Sequence, residues 1–324
     1  MVRPSVITAV VFDPAVDTGN LGDEVISSAV ARLLDGRVDV VETISTHRRP
    51  TVQQRKHLAN CDVVVVAGTN ILSATRRGAR YWPLSRRDRV LMAGKTLLIG
   101  VGWWQYQNPP TGMMATRLQR LMSRTLPHSV RDSYTKCRLT MAGIPSSNIF
   151  NTSCPSLWDL PPVRRLDSPE TLIVTLTDYN KSPAADQRFL WEAIQRFTQV
   201  LLWPQGTRDQ EYARSLAVPG IRLIDRSVDA LRYELSKPNA VYAGTRLHAG
   251  AVALQCGAPA LILTVDNRAT EISRDTGLPT IRREDSHALV SWLANPTSSD
   301  VRLPAEKERW LEALERSLPV QRLG

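Results

Sequence analysis

The residues best suited to chemistry in this sequence are an arginine and a histidine two positions apart, Arg246 and His248. A guanidinium binds phosphate or carboxylate through a planar fork of N–H donors, and imidazole gives or takes a proton near neutral pH. The pair therefore indicates an anion site with a proton donor beside it. A histidine near the start of a helix is also common as a cap or at the edge of a core, and that alternative stays open on these two residues alone.

The elements around this pair would place it where anions bind. The pattern predicts a strand at Ala240–Ala243, a turn at Gly244 and a small-residue helix at Leu247–Gln255, which Gly257 and Pro259 end. Unpaired backbone N–H groups and the positive end of the helix dipole meet at such a junction. The sequence thus predicts a strand, a turn and a helix that hold Arg246 and His248 above the edge of a sheet.

Two other stretches carry polar residues in a similar setting. Asp17–Ile26 follows the apolar run Val6–Phe12 and reads Asp-Thr-Gly-Asn-Leu-Gly-Asp-Glu-Val-Ile. Ser129–Ser133 reads Ser-Val-Arg-Asp-Ser, with Leu139 and Gly143 beyond it. The first is predicted to be a turn at the end of a strand, where ligands of parallel sheets collect.

The three stretches together resemble the polysaccharide pyruvyl transferase family. Gly-Thr-Arg-Leu-His-Ala-Gly at 244–250, with its small-residue helix ending in Gly-Ala-Pro, is similar to one family motif. Asn-Leu-Gly-Asp-Glu at 20–24 is similar to the Asn-x-Gly-Asp-Glu signature after the first strand, and 129–160 is similar to the Val-Arg-Asp region. The resemblance extends from residue 17 to residue 259, which is most of the chain.

The resemblance implies a transferase whose donor substrate is phosphoenolpyruvate and whose acceptor is a sugar, with or without a lipid carrier. The pyruvyl or enolpyruvyl group would pass to sugar hydroxyls of a polysaccharide or glycolipid precursor, with ketal formation. No cofactor beyond the donor and no metal are implied, because proton transfer and arginine clamps supply the chemistry.

The resemblance also implies roles for individual residues. His248 would be the general acid, and Arg246 with the adjoining Leu247 would bind the donor. Arg131 is the matching arginine of the first domain, and Arg268 stands where a lysine is usual after the same strand, which keeps the charge but changes its geometry. The turn would line the site with Gly19, Asn20 and Asp23, and Gly22 would allow close approach of the backbone.

Each role has a structural alternative. Arg131 is equally suited to a salt bridge with Asp132, and Asn20 and Asp23 are common turn and cap residues. Trp103 and Trp104 would stack on an acceptor sugar or pack against the second domain. His47, His57, His128 and His287 show no ligand spacing and are expected to be surface or structural residues.

The charge balance is basic, with 41 Lys and Arg against 31 Asp and Glu and a formal net charge of +10 over 324 residues. Arginine supplies 35 of the 41, a bias that suits a GC-rich coding genome. The basic residues look scattered among acids rather than stacked with aromatics, so nucleic-acid binding is not favoured. An anionic substrate or an anionic membrane surface would explain the charge equally well.

The cysteines and the apolar runs indicate a cytoplasmic protein. Cys61, Cys137, Cys154 and Cys256 are far apart, which argues against a zinc site or a disulfide framework. No apolar run approaches the roughly 20 residues of a membrane span, and no signal peptide is recognised. We expect at most a peripheral contact with the inner face of the membrane.

Alternating strands and helices predict an α/β fold with two Rossmann-like, doubly wound domains facing each other across a cleft, a glycosyltransferase-B-like arrangement. A Pro-rich, charged stretch near residue 165 divides residues 1–165, on the acceptor side, from 166–324, on the phosphoenolpyruvate side. The final helix, 306–317, would return to either domain. Because ligands sit at the carboxyl ends of parallel strands, we expect a donor site built from both domains.

Two other functions remain in view. A glycosyltransferase that uses a nucleotide sugar would share this architecture, with Asp266 or Glu271 holding the ribose. A non-enzymatic nucleic-acid-binding module would account for the basic charge and would show a steep salt dependence.

Overall fold

A computed structural model describes residues 6–75 and 78–320, which form two compact units. Of these residues, the first unit takes those within Met1–Thr18, Ile26–Pro155 and Leu303–Gly324. The second takes Gly19–Val25 and Ser156–Arg302. The turn that follows the first strand is therefore part of the second unit, although we expected it to contribute from the first domain.

The first unit is built on a parallel sheet. Its strands, within the described residues, are β1 Thr8–Asp13, β2 Asp39–Ser45, β3 Val63–Leu72, β4 Thr96–Trp103, β5 His128–Val130 and β6 Ile149–Asn151. Their order is β2-β1-β3-β4-β5-β6, and every pairing is parallel. β4 is buried along its whole length, as expected of a central strand with both faces covered.

Five helices connect these strands: α1 Leu21–Leu34, α2 Val52–Asn60, α3 Arg86–Leu91, α4 Gly112–Leu121 and α5 Ser133–Met141. Local sequence explains where several begin. Thr51 with Gln54 and Ser85 with Asp88 form reciprocal capping boxes at α2 and α3. The Asp132 side chain accepts a hydrogen bond from the Thr135 N–H at the start of α5.

The second unit also holds a parallel sheet. Its described strands are β7 Thr171–Thr175, β8 Gln199–Leu202, β9 Ile221–Leu223, β10 Ala240–Gly244, β11 Ala260–Thr264 and β12 Thr280–Arg282. The strand order is β12-β11-β10-β7-β8-β9, so successive strands are added on one side of β7 as far as β9 and then on its other side from β10 onward. Among the described residues, the strands are connected by the helices α6 Pro183–Arg196, α7 Asp209–Ser215, α8 Val228–Ser236, α9 Leu247–Gln255 and α10 Asn267–Thr276, and the helix α11 Ser286–Ala294 follows β12.

This reversal marks where a ligand is expected. Numbered within the unit, the strands follow the order 3-2-1-4-5-6 of the dinucleotide-binding folds, whose ligands bind outside the carboxyl ends at the switch point. In this unit the switch lies between β7 and β10. The segment that follows β10 carries Arg246 and His248.

The last helix, α12 Glu306–Ser317, belongs to the first unit. The indole N–H of Trp310 donates to the Pro127 carbonyl at 2.8 Å, and Glu306 accepts from Lys136 Nζ and from the Asn151 N–H, both at 2.7 Å. Trp310 is fully buried. These contacts fix α12 beside β5 and β6.

The predicted fold class is confirmed by two parallel sheets with alternating helices. The sequence pattern missed β5, β6 and β12, which have only three residues each, together with the helices α5, α10 and α11. As a result, we did not anticipate that Arg131 follows directly on a strand. Of the helices in the part of the chain that the structure describes, none is long and apolar enough to cross a membrane.

Candidate functional site

Hydroxyl groups of two neighbouring side chains form hydrogen bonds with the backbone of the turn after β10. Thr175 Oγ1 accepts from the Arg246 N–H at 3.2 Å, and the Tyr242 hydroxyl donates to the Arg246 carbonyl at 2.8 Å. Tyr242 is fully buried, and burial raises the pKa of its phenol, which therefore stays a neutral donor. The backbone that carries Arg246 and His248 is thus held firmly against the end of β7.

Arg246 directs most of its guanidinium at a buried carboxylate. Its Nε donates to Asp209 Oδ2 at 2.9 Å, and its Nη2 donates to Asp209 Oδ1. Asp209 is completely buried and also accepts from the Gly206 N–H at 2.7 Å and the Asp178 N–H at 3.2 Å. The fork expected to bind the donor therefore faces Asp209 in this structure, and Arg246 Nη1 donates to no residue that the structure describes.

His248 lies against the turn formed by Asn20 to Asp23. A Cβ added to Gly22 would come 2.9 Å from His248 Nδ1 and 2.5 Å from Gln205 Nε2. Gly22 is thus the residue type that permits this approach, as expected of the turn. His248 is 5% exposed, so the imidazole is buried.

Gln205 joins the turn to the end of β8. Its Nε2 donates to Asn20 Oδ1 at 2.7 Å, and its carbonyl accepts from the Leu21 N–H at 3.1 Å. Asn20 Nδ2 in turn donates to Asp23 at 3.0 Å. The Oε1 atom of Gln205 is buried and accepts no hydrogen bond from the described residues. Sequence reasoning missed Gln205, although it follows a predicted strand.

Arg268 lies at the start of α10 and is held by two neighbours. Its Nε donates to both oxygens of Asp266, at 3.1 and 2.9 Å, and its Nη2 donates to the Tyr179 hydroxyl. Burial lowers the pKa of Arg268, but Tyr179, Asp266 and Asp23 outweigh it, so the pKa is raised above its usual value. Asp23 therefore lies within electrostatic reach of Arg268.

The exposed ring of Tyr179 lies between the two arginines. Its centroid is 5.0 Å from the guanidinium carbon of Arg246 and 5.8 Å from that of Arg268. Tyr179 is 51% exposed. Its position just beyond the predicted strand at β7 was the one signal in the sequence that pointed to it.

Of the expected residues in the second unit, the structure brings Asn20, Asp23, Arg246, His248 and Arg268 together at the carboxyl ends of the strands. Gly19 and Leu247 adjoin them, and a Cβ added to Gly19 would lie 3.1 Å from a Thr207 methyl group. Leu247 is the first residue of α9 and is 8% exposed. The cluster joins cations and an imidazole at the start of α9, whose N-cap residue Arg246 makes no side-chain cap hydrogen bond, and such a set is able to bind an anion and move a proton.

Arg131 belongs to the first unit, where it is 3% exposed. Its Nε donates to Asp132 Oδ2 at 3.2 Å, and its Nη2 donates to Asn70 Oδ1 at 2.7 Å. A Cβ on Gly102 would meet its guanidinium at 2.2 Å, so this glycine makes room for the charge. The salt bridge proposed as its structural alternative is present.

Other expectations for the first unit need correction or refinement. Trp103 is fully buried in the core and has no face for an acceptor sugar, whereas Trp104 packs on Tyr81 with ring centroids 4.8 Å apart. His128 is buried and structural, with Nδ1 accepting from the Leu98 N–H and Nε2 facing the Ser123 carbonyl at 2.9 Å. Among the described residues no group of three or more His, Cys, Asp or Glu is arranged to hold a metal ion.

Comparison with known protein families identifies the family of this chain. A family model described as polysaccharide pyruvyl transferase matches residues 20–267. This range includes every proposed site residue except Gly19 and Arg268. The sequence has no match among curated proteins.

Two solved structures illustrate the fold. UDP-GlcNAc 2-epimerase of Methanocaldococcus jannaschii, in complex with UDP-GlcNAc and UDP, is 12% identical with a TM-score of 0.58, covering 96% of this chain and 99% of its own. A glycosyltransferase of Rickettsia africae ESF-5 is 10% identical with a TM-score of 0.50, covering 98% and 95%. At such identity the likeness shows the fold alone, which is glycosyltransferase-B-like with two Rossmann-like domains.

Proposed function

Because the chain belongs to the polysaccharide pyruvyl transferase family, a family of transferases, we propose that its donor is phosphoenolpyruvate and its acceptor a sugar. The observation that carries the proposal is the family match over residues 20–267, which includes both the turn at Asn20 and the segment of Arg246 and His248. The product is a pyruvyl ketal on two sugar hydroxyls of a polysaccharide or glycolipid precursor.

The reaction begins with a proton. His248 donates it to the terminal methylene of phosphoenolpyruvate, which becomes a methyl group and leaves the central carbon electrophilic. A sugar hydroxyl attacks that carbon, and its proton returns to the imidazole of His248. The C–O bond to phosphate then breaks, and its electron pair leaves with the phosphate. The second hydroxyl attacks the same carbon and gives its proton to the released phosphate. One phosphoenolpyruvate and one diol thus give one ketal and one inorganic phosphate.

The donor carries a phosphate and a carboxylate, and the cluster offers two cationic sides for them. Arg246 contributes the Nη1 edge that Asp209 leaves open, next to the first N–H groups of α9. Arg268 contributes its charge beside Tyr179. We assign the carboxylate and the phosphate to these two sides.

The buried setting of His248 supports its role. An imidazole that is 5% exposed has little contact with bulk water, and a protonated enol phosphate needs protection from hydrolysis. The turn at Gly22 lies next to Nδ1 of this imidazole.

A nucleotide-sugar glycosyltransferase is the second candidate, because the structural neighbours include a UDP-GlcNAc complex on the same fold. The carboxylates expected to hold a ribose are engaged, however. Asp266 binds Arg268, and Glu271 binds Arg274 at 2.9 Å.

The two candidates are separated by a binding measurement. We expect phosphoenolpyruvate to raise the melting temperature of the wild type and to do so less for Arg268→Gln, while UDP-GlcNAc gives no shift. Phosphate release and product mass, followed with a panel of sugar acceptors, complete the test. A shift by UDP-GlcNAc alone, with sugar transfer from it, would replace the proposal by the second candidate.

A further inference from the structure

The positive charge of the chain is concentrated in one segment. Residues 76–124 hold one of the 31 acidic residues, Asp88, and ten of the 41 basic ones: Arg76, Arg77, Arg80, Arg86, Arg87, Arg89, Lys95, Arg117, Arg120 and Arg124. Ten minus one leaves +9 here, against 31 minus 30, or +1, in the rest of the chain. Our view that the basic residues are scattered among acids was wrong for this segment. Arg76 and Arg77 lie outside the described residues.

The topology brings two helices of this segment onto one face of the first sheet. α3 connects β3 to β4 and α4 connects β4 to β5, and these three strands are successive neighbours in the sheet. Right-handed crossovers that advance in one direction place their helices on the same side. The Gly94 N–H after α3 donates to the Arg120 carbonyl of α4 at 2.9 Å, which joins the two helices directly.

The arginines on this side lack carboxylate partners. We define the basic face as Arg86, Arg87, Arg89, Arg117, Arg120 and Arg124. None of the six forms an ion pair with a carboxylate in the described ranges 6–75 and 78–320. The one nearby acid, Asp88, is completely buried and accepts from Arg55 at 2.6 Å and from the Ser85 N–H at 2.7 Å.

Two of these arginines face each other. Arg89 donates to the Leu84 carbonyl at 2.6 Å, and Arg117 donates to the Met114 sulfur at 3.6 Å. Burial and then the charge of Arg117 lower the pKa of Arg89. The two cations therefore repel each other across the mouth of a small cavity that both of them line. An anion between them would relieve that repulsion.

The same side exposes apolar groups among the cations. Val90 of α3 is 68% exposed and Met113 of α4 is 55% exposed. The cavity beneath Arg89 and Arg117 has a volume of about 60 Å³, and its wall is apolar apart from Ser73 and the two arginines. Trp82 lines it, and the buried Trp82 indole N–H donates to no described residue. Cations, exposed apolar side chains and an apolar cavity with one free donor thus occupy a single surface.

We infer that the basic face docks on an anionic lipid bilayer, with its arginines on lipid phosphates and with Val90 and Met113 entering the interface. Arginines interspersed with exposed apolar residues suit a membrane surface. Each cation near anionic lipid contributes to the free energy of membrane binding, and the apolar area that enters the interface contributes further. Nucleic acid is less suited, because its backbone offers nothing to Val90 or Met113. The inference stands independently of the donor substrate.

The test is co-sedimentation of the full chain with vesicles. Vesicles of phosphatidylglycerol and phosphatidylcholine are compared with pure phosphatidylcholine at low and physiological salt. The variant Arg86→Glu, Arg87→Glu and Arg120→Glu reverses three exposed charges. The control variant, Arg188→Glu, Arg214→Glu and Arg222→Glu, makes the same change of charge at three exposed arginines of the second unit that also form no ion pair with a described carboxylate.

We expect the wild type to bind the anionic vesicles and not the neutral ones, and binding to fall at least tenfold in the first variant but less than twofold in the control. Val90→Ser with Met113→Ser should weaken the binding that persists at physiological salt. An equal loss in both charge variants would reduce the effect to net charge and overturn the inference. Absence of binding to anionic vesicles would also overturn it. So would a result in which the charge reversals on the basic face weaken binding to a DNA duplex but do not weaken binding to vesicles.

Discussion

His248 is the residue at which chemistry and binding should separate. His248→Gln keeps the size and one hydrogen-bonding edge of the side chain but cannot protonate carbon. We expect the fold and the affinity for phosphoenolpyruvate to be kept, and turnover to fall roughly a hundredfold or more, the usual worth of a positioned general acid. Steady-state phosphate release and a thermal shift with the donor measure the two effects. Near-normal turnover would remove His248 from the mechanism.

Replacement of Arg246 should lower the stability of the protein as well as its affinity for the donor. The sequence predicted only the effect on the substrate, and the ion pair with Asp209 adds the effect on stability. Arg246→Ala leaves a fully buried carboxylate without its partner, which costs about 3–5 kcal/mol in comparable cases. Urea denaturation should show that loss, together with weaker binding of the donor.

The double variant Arg246→Ala with Asp209→Ala is the matched control for this pair. The stability losses from replacing the two residues of one ion pair are not additive. The free energy of unfolding of the double variant should therefore fall by less than the sum of the losses in the two single variants. Additive losses would mean that the pair is not coupled. Full stability of Arg246→Ala would contradict the buried geometry.

Gly22 tests the approach of the turn to the imidazole. In Gly22→Ala the new methyl group would lie 2.5 Å from Gln205 Nε2 and 2.9 Å from His248 Nδ1, so one of these side chains must move. We expect turnover to fall more than tenfold, since misplaced groups at a reaction centre are costly. Ser28→Ala, an exposed change on the same helix, should leave turnover unaltered. Equal activity of the two variants would argue against the proposed position of His248.

At the scale of elements, β5 depends on a neutral histidine. Burial lowers the pKa of His128 to about 4, although the hydrogen bond with the Ser123 carbonyl works in the opposite direction. In the unfolded chain the same imidazole takes up its proton near the ordinary histidine pKa of 6.5, so the unfolded chain binds more protons than the folded chain between pH 6.5 and 4. Stability must therefore fall as the pH drops through that window, by up to about 3 kcal/mol.

Denaturation at several pH values measures this loss. His128→Gln keeps a donor and an acceptor but does not titrate, so its stability should change less between pH 6.5 and 4. His287→Gln is the control, because His287 is exposed and its replacement should leave the pH dependence of the wild type intact. An identical pH dependence in all three proteins would show that His128 is not the group responsible.

The elements also show how far sequence could lead. Long apolar strands such as Val63–Leu72 and the helices between them could be recognised, and with them the two sheets. The three-residue strand β5 could not, because so short a run has no periodicity, and the strand context of Arg131 was lost with it. The pairing of Arg246 with Asp209 could not be foreseen either, since the two residues lie 37 positions apart and meet only when β8 and β10 share a sheet.

At the scale of the molecule, the family match indicates a transferase and the fold has two Rossmann-like domains, so the remaining question is the identity of the donor. The central claim is that His248 protonates the methylene carbon of phosphoenolpyruvate during transfer to a sugar. That step places one solvent-derived hydrogen in the methyl group of the product, because the imidazole exchanges its proton with solvent before the reaction.

The most direct measurement is the reaction in deuterium oxide with phosphoenolpyruvate and an accepted sugar, followed by NMR and mass spectrometry of the product. We expect a ketal whose methyl group carries one deuterium, with one phosphate released for each ketal formed, and no product from His248→Gln on the same timescale. A product that retains the methylene carbon without deuterium, or transfer that proceeds without phosphoenolpyruvate, would contradict this expectation.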